Sequence, residues 1–204
     1  MLACTGLLNS ILDTSKIEAG KMQLEEEEFD LAKLLEDTVD LFHPVGMKKG
    51  VDVVLDPYDG SILKHSRVKG DRGKLKQILC NLLSNAVKFT SDGHVSVRAW
   101  TQKPSLENKI IASNQNGLWI RFSCHFLKKK KEFNEVKQKQ STMEFVFEVK
   151  DTGKGIPKDK QKSVFENFVQ VKETTLGQGG TGLGLGIVQS LVRTQLLHKL
   201  TSSL

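Results

Sequence analysis

The chain has 204 residues with 26% charged and 38% apolar side chains, enough for one buried core with a short appendage. Its net charge of +6 gathers around Lys128–Lys131, Lys137 and Lys139, without a zinc finger, a helix-turn-helix or interleaved aromatics, which argues against nucleic acid. No apolar run reaches the roughly 18 residues of a membrane span, and Cys4, Cys80 and Cys124 lack metal-ligand or disulfide spacing, which points to a reducing compartment.

In chain order, Leu8, Ile11, Leu12, Ser15 and Ala19 recur at helical spacing and form a face that calls for a partner helix. The acidic run Glu25–Glu28 reads as a solvated corner. Asp30 is a suitable N-cap for an amphipathic helix bearing Leu31, Leu34, Leu35, Thr38, Val39 and Phe42, which Pro44 and Gly46 are expected to end. Residues 50–56 alternate as a strand, Pro57–Gly60 reads as a turn and Val68–Asp71 as a short edge segment. Asp71 then caps a long helix whose apolar face carries Leu75, Ile78, Leu79, Leu82, Leu83 and Val87. Residues 94–100 and 143–149 alternate cleanly and are predicted to be neighbouring strands. Between them, over about residues 101–140, the pattern lapses into an irregular insertion with a turn at Asn114–Gly117 and an extra strand at 118–126.

Three segments carry chemistry. In Asn81-Leu-Leu-Ser-Asn85-Ala-Val-Lys88, helical spacing puts Asn81, Asn85 and Lys88 on one polar face. An amide oxygen of Asn85 suits a hard cation that also bridges phosphates, and Lys88 adds positive charge; an ordinary wet helix face is the competing reading. Asp151-Thr-Gly153-Lys-Gly155 follows a strand directly. It offers a carboxylate to an exocyclic amine such as adenine's, with glycines that let the backbone approach a flat ring; a plain turn is the alternative. Gly177–Gly186 holds six glycines in ten residues before a helix starting near Leu185, a backbone cradle for phosphate. It is not a Walker loop, and no clear strand precedes it and no acidic residue follows it as a dinucleotide fold requires. Phe165 and Phe168 read as core aromatics, and residues 169–176 as a lid hinged on the glycines.

Together, Asn81-x-x-x-Asn85-Ala-x-Lys88-Phe-Thr, Asp151-x-Gly-x-Gly155, Phe165-x-x-Phe168 and Gly180-Thr-Gly-Leu-Gly-Leu185 resemble the N, G1, F and G2 boxes of sensor histidine kinases, in the same order. Leu8–Gly20 is similar to the second helix of the dimerisation and phosphoacceptor domain in plant hybrid members, and the resemblance covers about residues 7–100 and 141–193. It implies an α+β fold, a two-layer α/β sandwich with a mixed sheet and helices over one face, shared with Hsp90 and gyrase ATPase domains. It implies ATP and Mg2+, with the metal at Asn85 and Asn81 and Lys88 beside it. Adenine recognition would fall to Asp151 with Gly153 and Gly155, and phosphate contacts to Gly180, Thr181, Gly182, Leu183 and Gly184.

The resemblance further implies three segments: a dimerisation-helix remnant at 1–24, an ATP-binding domain at 25–193 and a divergent tail at 194–204. The family passes the γ-phosphoryl to a histidine on a dimerisation helix, then to a receiver domain, within a homodimeric sensor held in a membrane with this part on the cytoplasmic side. That acceptor histidine lies before Leu7 in the family, and none of the five histidines here has its context. Two readings therefore stay open: a phosphotransferring ATP domain, or an incomplete nucleotide-binding or dimerising fragment that modulates an intact kinase. A chaperone- or topoisomerase-type ATPase shares the fold but carries a carboxylate where Asn81 stands, so the asparagine favours phosphotransfer over hydrolysis.

Overall fold

The computed structural model describes residues 12–13, 15–17, 19–64, 66–103, 118–122, 144–161, 163–165 and 184–201. Four strands form a mixed sheet in the order β2 (Val51–Asp56), β4 (Gly93–Gln102), β6 (Glu144–Asp151), β5 (Leu118–Phe122). β2 runs parallel to β4, while β4 and β5 both pair antiparallel with β6. The expected pairing of residues 94–100 with 143–149 is thus realised, with Val97 opposite Val149 and Ala99 opposite Phe147.

Helices α1 (Leu31–Met47), α3 (Arg72–Phe89) and α4 (Gly184–Thr201) bury their apolar stripes against one face of this sheet, and a short α2 (Ser61–Lys64) follows β2. The core joins Leu34 and Leu35 of α1, Ile78, Leu79, Leu82 and Leu83 of α3, and Ile187, Val188 and Leu191 of α4. They meet Val53, Val95, Val97, Phe145 and Phe147 from the strands. Asp30 caps α1 and Asp71 caps α3, each accepting from the amide three residues on.

Three expectations need correction. α1 does not end at Pro44 or Gly46 but runs to Met47 with Pro44 inside its last turns, where the loss of one hydrogen bond is tolerated. Gly46 is buried for another reason: a Cβ there would collide with the Val51 carbonyl oxygen and lie 2.7 Å from Val53 Cγ2, so glycine permits β2 to pass close to the helix. The acidic run is exposed, as expected of a solvated corner, but its second half is a strand that the sequence did not signal. β1 (Glu27–Asp30) pairs antiparallel with β3 (Arg67–Gly70) in a separate two-stranded sheet, where Lys69 reaches Glu26 at 3.1 Å. β4 continues to Gln102, and the extra strand is the five residues of β5. The rest of the insertion, residues 104–117 and 123–143, lies outside the described residues.

Candidate functional site

α3 places the candidate amides. Its apolar stripe is fixed by the core, which leaves Asn81 and Asn85, one turn apart, on a polar flank of the helix. A methyl group added at Gly184 would lie 3.5 Å from Asn85 Nδ2, so the first residue of α4 abuts the asparagine helix. The N-terminus of α4, the positive end of its dipole, therefore lies beside Asn85. Asn81 Nδ2 is shut off from solvent and has no hydrogen-bond partner. A buried donor left unpaired costs about 1–3 kcal/mol, and an acceptor on a bound molecule would satisfy it.

The turn after β6 closes on the C-terminal end of α3, one turn beyond Asn85. Asp151 is half-buried, and its Oδ1 accepts from the Gly153 amide at 2.9 Å. Burial pushes its carboxyl above the usual range, and the Gly153 hydrogen bond draws it partly back. A Cβ on Gly153 would sit 2.6 Å from the Phe89 carbonyl oxygen, so glycine is what lets the turn rest on the C-terminus of α3. Gly155 has φ of 68°, in the left-handed region. Along α3, Asn85 thus has Gly184 beside it, and Gly153 with its partner Asp151 rests on Phe89 one turn further on. Gly180, Thr181, Gly182 and Leu183 lie outside the described residues, as do Phe168 and the stretch 169–176, while Phe165 is buried in a short 3-10 turn.

Lys88 is placed differently from its two amide neighbours. Its ammonium lies 5.1 Å from the Phe89 ring centroid, and its side chain lines a hollow of about 260 Å3 between α1 and α3 with Phe42, Val45, Lys49, Ser84 and Val87. Sequence reasoning passed over Lys49, whose ammonium donates to the carbonyls of Val87, Lys88 and Thr90 at 2.6, 2.9 and 3.1 Å. It caps the C-terminus of the asparagine helix from 38 to 41 residues away, and no local pattern signals that.

The donor set fits a magnesium nucleotide. One amide oxygen at Asn85 is a hard ligand, and no group of three His, Cys, Asp or Glu side chains gathers among the described residues, so such an ion would take most of its oxygens from phosphate and water. No helix among them is long and apolar enough to cross a membrane.

The chain is 61% identical over 196 residues to Histidine kinase CKI1 of Arabidopsis thaliana, covering 92% of this chain and 18% of that protein. It is 50% identical over 196 residues to Probable histidine kinase 2 of Oryza sativa subsp. japonica, with the same coverage. The chain therefore spans less than a fifth of these relatives' length. Among solved structures, full-length ShkA in complex with AMPPNP superposes with a TM-score of 0.57 at 26% identity, over 91% of this chain and 29% of that one. The nucleotide-free catalytic domain of histidine kinase ThkA gives a TM-score of 0.52 at 23% identity, over 85% and 82%, and shares the fold, the α+β sandwich described above. Residues 70–202 match the model described as histidine kinase-, DNA gyrase B- and HSP90-like ATPase, and the chain belongs to that family.

Proposed function

We propose that this chain is the ATP-binding catalytic domain of a sensor histidine kinase, which transfers the γ-phosphoryl of ATP to a protein histidine in a two-component phosphorelay. The observation that carries this reading is the approach of the N-terminus of α4, at Gly184, to Asn85, with the sealed and unpartnered amide of Asn81 one turn earlier on the same helix. It is the arrangement a polyanion with a hard cation needs. The likeness to full-length histidine kinases, one of them described with AMPPNP, supports the same reading.

In this reading Asn85 ligates Mg2+ through its amide oxygen, and Asn81 donates to an oxygen of the bound nucleotide. The metal supplies neutralisation of phosphate charge. Asp151 accepts from the adenine amine while Gly153 and Gly155 keep the turn flat against the base. Lys88, which makes no ion pair among the described residues, adds positive charge for phosphate. Gly180, Thr181, Gly182, Leu183 and Gly184 direct backbone amides at phosphate. The protein's contribution to transfer is positioning and charge stabilisation rather than covalent participation. Residues 25–193 form the ATP-binding unit and 1–24 belong to the dimerisation helix. The partners are an acceptor domain and a downstream receiver, within a homodimeric membrane sensor that holds this part on its cytoplasmic side.

Calorimetry with magnesium ATP tests the reading. The intact chain is expected to bind with micromolar to submillimolar affinity, and Asn85→Ala to lose at least about tenfold, with the remaining binding indifferent to magnesium. An intact, folded chain that takes up no ATP overturns the proposal.

A further inference from the structure

Along α3, Lys74, Gln77, Asn81 and Asn85 follow one another at steps of three, four and four, which places them in one row on the helix. The C-terminal half of that row is the nucleotide side proposed above. Its N-terminal half already holds a carboxylate from far upstream. Asp13 Oδ1 accepts from Lys74 Nζ at 2.8 Å, and Asp13 Oδ2 accepts from Gln77 Nε2 at 2.8 Å. Lys74 Nζ also reaches Gln77 Oε1 at 3.4 Å, so the three side chains close a ring.

Isolated ion pairs on a wet surface contribute little. This one differs in that Asp13 is only 8% exposed and both its oxygens are used. The contacts also bridge 61 and 64 residues of sequence. Below it, Ile17 and Met22 pack on the core, and the Glu25 amide donates to Asp71 Oδ2 at 3.0 Å, at the cap of the same helix. The helical stretch before the domain is therefore held to α3 by a directional polar contact above an apolar one. The apolar contact supplies adhesion without fixing an angle, whereas two hydrogen bonds to one planar carboxylate fix both rotation and register.

We propose that Asp13 is a positioning residue, locking the helical residues 12–13 and 15–17 in one orientation against the helix that carries Asn81 and Asn85. The lock stands on the contacts alone; its bearing on phosphoryl transfer rests on the function proposed above.

Hydrogen exchange on the whole 204-residue chain, without nucleotide, decides it. Asp13→Ala is expected to speed exchange across residues 12–22 by about tenfold while the amides of residues 78–83 keep their protection. The charge-reversed pair Asp13→Lys with Lys74→Asp is expected to recover most of that loss, which a residue acting only through bulk would not allow. Unchanged exchange over 12–22 in Asp13→Ala overturns the proposal. So does equal acceleration of residues 78–83, which would make Asp13 a general stabiliser, or a reversed pair as fast as Asp13→Ala. Magnesium ATP affinity of the intact chain is read separately: its absence would remove the proposed function and leave the lock to be judged on exchange.

Discussion

At the scale of single residues, the end of α3 shows how a distant side chain serves a site it never touches. The last carbonyls of a helix have no partners within it, and here Phe89 must also carry the Gly153 turn at close range. Lys49 answers three of those carbonyls with one ammonium, bringing positive charge to the negative end of the helix dipole. Lys49→Met keeps the stem and removes the charge and its hydrogen bonds. It is expected to lower stability by about 2 kcal/mol, within the range for hydrogen bonds to charged groups. Urea unfolding measures this directly, and an unchanged midpoint would show that water satisfies the carbonyls equally well. The turn at Asp151 and Gly153 was legible from sequence because it is local: a carboxylate at a strand end and a residue without a side chain two positions later. Lys49 was not, because its partners are set by how α1 ends against α3.

At the scale of elements, amphipathic period and capping residues were informative, while short unpatterned strands and breaker residues misled. α3 was readable because its apolar row and Asp71 cap lie within eighteen consecutive helical residues and the one before them. β1 was not, since only Phe29 among Glu27–Asp30 is apolar and its partner Val68 lies far along the chain. Pro44 and Gly46 signal a helix end in isolation, yet tertiary packing of β2 on α1 sets the boundary at Met47. The Asp71 cap joins these elements, because one oxygen accepts from Lys74 N at 2.8 Å and the other from Glu25 N at 3.0 Å. Replacing it frees two backbone donors, one at the helix start and one in the strap leading to β1. Asp71→Ala is therefore expected to cost about 2 kcal/mol, the upper end for a cap, and Asp71→Asn about half of that. Thermal unfolding of the pair tests whether the second hydrogen bond contributes: a loss no greater than that of an ordinary exposed cap would show that it does not.

At the scale of the whole molecule, the sheet's position decides what its polar residues experience. The alternation of residues 143–149 predicts Glu148 on the polar side of its strand, yet β6 lies between β4 and β5, and Glu148 is only 1% exposed. Strand period reports which face a residue takes, not how deeply that face is covered. Arg98 stands 3.7 Å from Glu148 Oε2 and is itself engaged by Asp56 at 2.7 Å, while Glu148 Oε1 has no hydrogen-bond partner. Burial raises the Glu148 carboxyl above its ordinary 4.5, against a weaker pull downward from Arg98 and Lys150. The folded chain therefore holds this proton to higher pH than the unfolded chain does. Its contribution to stability is fully present below the unfolded value and is lost as pH rises through the folded one. Glu148→Gln removes that titration, so the variant should gain on the parent as pH rises from about 4 toward 7, with the difference levelling once Glu148 is ionised. Denaturant midpoints of both proteins across that range give the comparison. Parallel curves would mean that Arg98 compensates the buried charge fully, and that the unpartnered oxygen carries no penalty in the folded protein.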